Sequence, residues 1–299
     1  MSLLRYVFVM KIIRCFFAQI LIQFFGCNYI ISNFSATNNS EMEKDKPARR
    51  DFIKLASLGL GGFAASKKMG SVNISNDPAA RKLNIVCVGA HPGDPEFGCG
   101  GTMNKYATAG HEVTFLYLTR GEAYDSTISY SQAAALRTKE AEVSCKILNA
   151  KPSFAGQIDG NTILSKEKNE EMTKLILSLN PDIVFTHWPL DSHPDHQVSG
   201  LLTLTAWIRA DKKFELYFYE VNTGSETMSF TPTDYVDISN EREKKKAAMF
   251  AHKTQSPVEL YDSLFKTMEE FRGFEAGVKA AEGFIHFKEK AERANILGL

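Results

Sequence analysis

The sequence predicts a three-layer α/β fold with a mostly parallel sheet. Three observations predict it. Short apolar runs rich in Ile and Val recur, notably Leu83 to Gly89 and Ile183 to Thr186, each bounded by Gly, Pro or Asp. Between such runs lie longer stretches whose apolar residues recur every three or four positions, as buried helix faces require. Both named runs end in turns rich in His and Asp, and the carboxyl ends of parallel strands are where α/β folds bind ligands.

Taken in order, Leu83 to Gly89 reads as a buried strand and is followed by glycines at Gly98, Gly100 and Gly101. A helix is expected over Gly101 to Ala109, ending at Gly110, a natural C′ residue. Glu112 to Leu118 alternates into a second strand, closed by the polar loop Thr119-Arg120-Gly121-Glu122. Ser131 to Leu148 is a helix with Ala135, Leu136, Ala141, Val143, Ile147 and Leu148 as its apolar positions. Phe154 to Ile158 reads as a strand. Lys166 to Leu179 reads as a helix through Met172, Leu175, Ile176 and Leu179, broken by Pro181-Asp182. After Ile183 to Thr186 comes a helix from His196 to Arg209, with Asp195 or Ser192 as its cap. Phe214 to Val221 and Tyr235 to Ile238 read as strands, Asn240 to His252 and Pro257 to Phe274 as helices, and Gly283 to Phe287 as a last edge strand. The basic run Lys244 to Lys246 is expected on a solvated face.

The chain has 299 residues, with 35 basic and 35 acidic side chains and no net charge. Nothing in that balance calls for nucleic acid or an acidic surface as partner; self-association stays open. The five cysteines, at 15, 27, 87, 99 and 145, show no CxxC pair and predict neither a disulfide framework nor a thiolate metal site. Cys87 reads as core, and Cys99 as packing beside the motif. Residues 1–81 read as a targeting region and linker, and 82–299 as the main domain. Cys15 to Ile31 is an uncharged segment of seventeen residues, near the lower limit for a membrane span. Arg49-Arg50-Asp51-Phe52, followed by the mild apolar run Leu55 to Ala65, resembles a twin-arginine export signal. Such a signal belongs near an N-terminus, so translation is expected to start at Met42, with membrane contact confined to this region and the protein exported to the periplasm or cell envelope.

The motifs carry the chemistry. Ala90-His91-Pro92-Gly93-Asp94-Pro95-Glu96 is followed far downstream by a second His/Asp-rich stretch, His187 to His196, which ends in His193-Pro194-Asp195-His196. Two His/Asp turns after two strands suggest a metal site of nitrogen and oxygen ligands. Over roughly Leu83 to Phe287 this pairing resembles the PIG-L/LmbE-like family of zinc-dependent N-deacetylases, which hydrolyse the acetamide of N-acetylglucosamine-type sugars on a Rossmann-like fold. The resemblance implies zinc held by His91, Asp94 and His196. It implies that His193 steadies the tetrahedral oxyanion while Asp195 orients an imidazole. Asp195 also reads as a helix cap. Glu96 matches the motif glutamate, either supporting a ligand or bonding the motif backbone. Arg137 with Glu140 resembles the family's R-x-x-E, where Arg holds substrate hydroxyls; an intrahelical pair is the alternative. Arg120 belongs to a matching loop. His252-Lys253-Thr254-Gln255 resembles a family turn near the site, or is a helix-end histidine. Trp188 stacks on a sugar ring or plugs the core.

One departure matters. The family's general base is an Asp two residues after the first His, and this chain has Gly93 there. General-base catalysis contributes roughly 10²–10⁴-fold. Zinc by itself lowers the pKa of its water to about 7; otherwise Glu96, Asp195 or a residue from elsewhere must accept the proton. The leading reading is an exported zinc amidohydrolase acting on a small amino-sugar substrate, with a relocated base. The second is an amino-sugar-binding homologue that is catalytically weak or idle because of Gly93. A dinucleotide-binding protein is disfavoured, because Gly98-Cys99-Gly100-Gly101 lacks the G-x-G-x-x-G spacing. N-terminal sequencing of the native precursor checks the start site; the expected first residue is Met42, and any peptide from residues 1–41 refutes it.

Overall fold

The computed structural model describes residues 81–288. The expectations for the export signal, the uncharged apolar segment, Met42 and most of the linker lie outside the described residues. Among the described residues no helix is long and apolar enough to cross a membrane.

The central strand β1 (Asn84–Gly89) is buried from Ile85 onward. Its side chains alternate between two cores. Ile85 and Cys87 join Phe97, Met103, Phe115 and Tyr117 on one side, while Val86 and Val88 join Leu116, Val184 and Leu202 on the other. A strand covered on both faces reads as a continuous apolar run. Parallel to it run β2 (Glu112–Tyr117) and β4 (Ile183–His187) as immediate neighbours, then β3 (Lys151–Phe154) beyond β2 and β5 (Glu215–Tyr219) beyond β4. Two more strands, β6 (Asp234–Asp237) and β7 (Ala281–Phe287), complete a seven-stranded sheet in the order β3-β2-β1-β4-β5-β7-β6. β7 is antiparallel to both β5 and β6. The expected final edge strand is therefore an inner one, and β6 forms the edge.

Helices cover both faces, as the three-layer expectation requires. α1 (Asp94–Thr108), α2 (Tyr130–Ile147) and α5 (Arg242–Met249) pack together on one side, α3 (Lys166–Ser178) and α4 (Pro194–Arg209) on the other. α6 (Pro257–Leu260), a wide π turn over Tyr261–Phe265, and α7 (Lys266–Ala276) follow without interruption and lead into β7.

Several boundaries differ from the expectation, for physical reasons. α1 starts at Asp94, not Gly101, and takes in the glycines. They sit inside the helix because of close packing: a Cβ at Gly98 would stand 2.5 Å from Tyr219 Cδ2. α2 turns inward Ala133, Arg137, Ala141, Ser144 and Cys145, while Leu136 and Val143 are each 48% exposed. β3 ends where a strand was expected to begin, so residues 155–164 form a loop before α3. The helix after β4 is capped by His193, whose Nδ1 accepts from Asp195 N at 3.3 Å, rather than by Asp195 or Ser192.

The basic run on α5 is not wholly solvated. Lys245 is 2% exposed, with Nζ 3.0 Å from Glu269 Oε1 and 2.8 Å from Glu282 Oε1. This ion triad ties α5 to α7 and β7. Removing the cation leaves Glu269 with Arg242 Nε at 3.0 Å and Glu282 with Gly101 N and Thr102 N, but takes away the charge both buried carboxylates share, a change that costs up to about 3–5 kcal/mol. Lys245→Met should lower the urea-unfolding free energy by up to that amount; a loss below about 1 kcal/mol would show that the remaining partners suffice.

Candidate metal centre and active site

The sheet order decides where the site is. β2 and β3 lie on one side of β1, β4 and β5 on the other, so the chain reverses direction of travel between β1 and β4. At such a switch point the loops leaving two adjacent parallel strands diverge and open a crevice. The turn after β1 carries His91, and the segment at the end of β4 and beyond carries His187, Asp191, His193, Asp195 and His196.

The first turn is short because α1 begins at once. Gly93 is its N-cap, at φ 113° and ψ −39°, and a proline follows in the first helical turn. Asp94 Oδ2 accepts from His91 N at 2.7 Å, which closes the turn on itself. The same oxygen lies 3.4 Å from His91 Nδ1 and 3.6 Å from His196 Nε2. Two ligand atoms on a tetrahedral zinc, each about 2.0–2.1 Å from the ion, stand about 3.3 Å apart. His91, Asp94 and His196 are all buried, and their ligand atoms lie within 4.8 Å of one another. His91, His193 and Asp195 form a second, overlapping group of the same kind.

The surroundings also suit a cation. Asp94, Asp159, Asp191 and Asp195 are four carboxylates at 8% exposure or less. Buried carboxylates need paired charge or a metal. Burial works against protonating His91, but Asp94, Asp159 and Asp195 outweigh it and hold its pKa well above the usual histidine value. Burial likewise opposes ionising Asp94, yet His196 and His91 keep its carboxyl well below the usual range. His187 stacks on His196 with ring centroids 4.1 Å apart, and its Nε2 lies 3.0 Å from Asp94 Oδ2. Burial, then the charge of His196, lowers His187 to about 4, so it stays neutral. Asp191 Oδ1 lies 3.3 Å from His196 Nδ1 and accepts from His193 N at 2.8 Å.

His193 is the half-buried histidine of the cluster. Burial, then the neighbouring His91 and His196, lowers its pKa. Because its Nδ1 accepts from Asp195 N, the proton of the neutral ring sits on Nε2, where it can donate. A neutral imidazole keeps an N–H donor, the kind of group that can stabilise a developing oxyanion.

Other expected site residues fall elsewhere. Glu96 is fully buried, its Oε1 accepting from Tyr117 Oη at 2.8 Å and lying 2.9 Å from His252 Nε2. It points behind the turn and does not reach reacting atoms. His252, equally buried, supports Glu96 and has no face for a sugar. Arg137 is 4% exposed and donates from Nη2 to Pro92 O at 2.6 Å, while Glu140 accepts from Thr254 N and Oγ1 at 2.9 and 2.7 Å. Arg137 braces the motif and Glu140 braces the His252–Gln255 turn, each held by a partner outside the helix. Arg120 is committed to Thr138 Oγ1 at 2.8 Å, with its guanidinium carbon 4.2 Å from the centre of the Phe154 ring. Trp188 is partly buried: it packs edge-on against Phe218 and Phe230 and donates from Nε1 to Met228 O at 3.1 Å. Asp195 does contact an imidazole, with Oδ2 3.1 Å from His91 Nε2. His187 and Asp191 lie in the His/Asp-rich stretch that the sequence marks as the second half of the site, without a role for either; Asp159 was missed, having no signal beyond being a loop aspartate.

The raised pKa of His91 has a sign that can be checked. A raised folded-state pKa stabilises fully below the unfolded value of about 6.5 and is lost as pH climbs through the folded value. Cation-free protein should therefore melt at falling temperature as pH rises above about 6.5, while protein saturated with Zn2+, whose binding displaces that proton, should show a flatter profile. A cation-free profile flat over that window would contradict the charge state assigned to His91.

Comparison with known proteins agrees with this geometry. The family pattern described as PIG-L, GlcNAc-PI de-N-acetylase, matches residues 86–207, which contain both motifs. The diacetylchitobiose deacetylase of Thermococcus kodakarensis is 30% identical over 226 residues, covering 70% of this chain and 84% of that protein. The structure of N,N′-diacetylchitobiose deacetylase from Pyrococcus horikoshii superposes with a TM-score of 0.62 at 26% identity, covering 82% of this chain and 95% of the other. A conserved protein of Thermus thermophilus gives 0.60 at 27% identity, covering 71% and 97%. With both motifs meeting at one crevice and a relative of this similarity along most of its length, the chain belongs to the PIG-L family of N-deacetylases and is a hydrolase of that family.

Proposed function

We propose that this protein is a zinc-dependent N-deacetylase that hydrolyses the acetamide of an N-acetylglucosamine-type sugar or conjugate. The observation that carries the reading is the meeting of His91 Nδ1 and His196 Nε2 around Asp94 Oδ2, at 3.4 and 3.6 Å, beside the half-buried His193. When bound, a divalent cation supplies Lewis acidity that polarises the amide carbonyl and makes water acidic enough to attack near neutral pH. His91, Asp94 and His196 would hold it. His193 Nε2–H donates to the oxygen that gains charge as the carbonyl becomes tetrahedral. Asp195 holds His91 from behind. The products are acetate and the free amine. The relatives' substrates, diacetylchitobiose among them, support an amino-sugar substrate here. The twin-arginine-like segment supports an exported enzyme.

The substitutes for the missing base are poorly placed. Glu96 faces away, and Asp195 uses Oδ1 for Thr162 Oγ1 and Oδ2 for Gly160 N and His91. Nor is the turn a deletion of the family carboxylate alone. Gly93 has a positive φ, and a Cβ there would stand 3.7 Å from Phe97 Cζ and 3.9 Å from His252 Cγ. A side chain on this backbone would head for the wall behind the turn. The second reading, a homologue that binds amino sugars without turnover, rests on the same glycine.

Acetate release from N-acetylglucosamine and N,N′-diacetylchitobiose decides between them. The expected result is turnover that a chelator abolishes and Zn2+ restores. Bound zinc without turnover across such a panel would establish the binding-only homologue. In the same assay Gly93→Asp should gain no rate and should cost about 1–3 kcal/mol of stability, because an L side chain is strained at that φ. A faster variant would locate the missing acceptor at position 93.

A further inference from the structure

The loop between β3 and α3 reaches the site and has no role in the chemistry above. Asp159 Oδ1 lies 3.2 Å from His91 Nε2, on the same nitrogen that Asp195 Oδ2 meets at 3.1 Å. We propose that Asp159 is a positioning residue for His91. With Asp195 it forms a two-carboxylate clamp on Nε2 that turns Nδ1 toward the cation and so sets how tightly the site holds it. The inference rests on the cation reading under Proposed function.

Four observations support the clamp. First, both oxygens of Asp159 are used: Oδ1 on His91 and Oδ2 on Ala123 N at 3.0 Å, in a side chain that is 10% exposed. It has little left to offer a substrate hydroxyl. Second, the loop builds the other jaw as well. Gly160 N donates to Asp195 Oδ2 at 2.8 Å and Thr162 Oγ1 donates to Asp195 Oδ1 at 2.7 Å. Third, the loop is anchored at the exit of β2, where Asp159 N donates to Glu122 Oε2 at 3.1 Å, an oxygen that also accepts from Arg120 N at 3.1 Å. Fourth, the clamp and Asp94 engage opposite nitrogens of one ring: Asp94 Oδ2 lies 3.4 Å from His91 Nδ1, while both clamp carboxylates meet Nε2.

The physics couples the clamp to the cation. Carboxylates on Nε2 fix the proton there and leave the Nδ1 lone pair free as a ligand. Two anions beside one N–H repel each other, and positive charge on the far side of the ring relieves that repulsion. Clamp and cation therefore favour one another, and loss of one jaw should appear first in cation affinity.

The test uses the full-length protein and Zn2+ alone, titrated in competition with a chromophoric chelator. Asp159→Asn should weaken zinc binding by about 10–100-fold, the usual effect of losing a partner behind a metal-bound histidine. Thr162→Val, which loosens the Asp195 jaw, should weaken it by a smaller factor. Co2+ bound to either variant should keep the wild-type absorption spectrum, because the ligands themselves are unchanged. At saturating zinc the KM for N,N′-diacetylchitobiose should stay at the wild-type value. Asp159→Glu keeps the charge and should recover part of the lost affinity, which a packing defect would not allow. Zinc affinity in Asp159→Asn equal to wild type would overturn the clamp. So would a roughly tenfold rise in KM at unchanged affinity, which would make Asp159 a substrate contact. If Asp159→Asn does not fold, Thr162→Val decides alone, and wild-type affinity in that variant overturns the clamp. Wild-type protein that binds no divalent cation would overturn the cation reading and this inference together.

Discussion

The site depends on one neighbour relation: β1 and β4 lie side by side and parallel. That pairing brings the ends of two distant segments to the same crevice. His91 and His196 are far apart along the chain, yet their rings stand 5.4 Å apart, centre to centre. Asp94 marks the meeting point. Its Oδ2 closes the first turn by accepting from His91 N and faces imidazoles from the second segment. The glycines of α1 serve the same end. Gly98 lets the helix that begins at Asp94 lie close against Tyr219 of β5, and Gly100 and Gly101 make room for Lys245 and Ile238.

Around that point the electrostatics are arranged in layers. Asp94 faces the cation position directly. Asp195 and Asp159 stand behind His91, and Asp191 stands behind His196. Carboxylates behind histidines fix tautomers and raise ligand basicity. The desolvation that such buried anions suffer is offset by backbone and hydroxyl donors, such as Ala123 N on Asp159 and Gly160 N on Asp195, together with the imidazoles they face. His193 is the exception. It is half-buried, and burial with the neighbouring His91 and His196 favours its neutral form.

A third layer braces the backbone of the motif. Arg137 holds Pro92 O, and His252 with Tyr117 holds Glu96. Arg137, His252 and Glu96 match family positions, so the sequence marked them as functional; their burial makes them supports. The distinction was not legible beforehand. A polar residue on a helix has the same spacing whether it faces substrate or the back of a turn, and only its neighbours tell the two apart. Arg137 shows this well: it lies on the inward face of α2, where apolar periodicity suggested Leu136 and Val143 instead.

Local pattern determined the strands through Ile and Val content, the alternation of strand and helix that requires a parallel sheet, and the two His/Asp motifs with their three ligand candidates. Those features are written within short windows, where period, turn residues and motif spacing are visible. Tertiary structure decided the rest. The helical state of Gly98 to Gly101 depends on what packs against them. The inner place of β7 depends on which strand edge was left free. The partners of His91 depend on a loop that reaches it from a different part of the fold. Asp159 has no sequence period and no motif; it acquires meaning only where the chain brings it to an imidazole. A contact made between distant segments is set by the packing of the whole sheet, and no local stretch of residues encodes it.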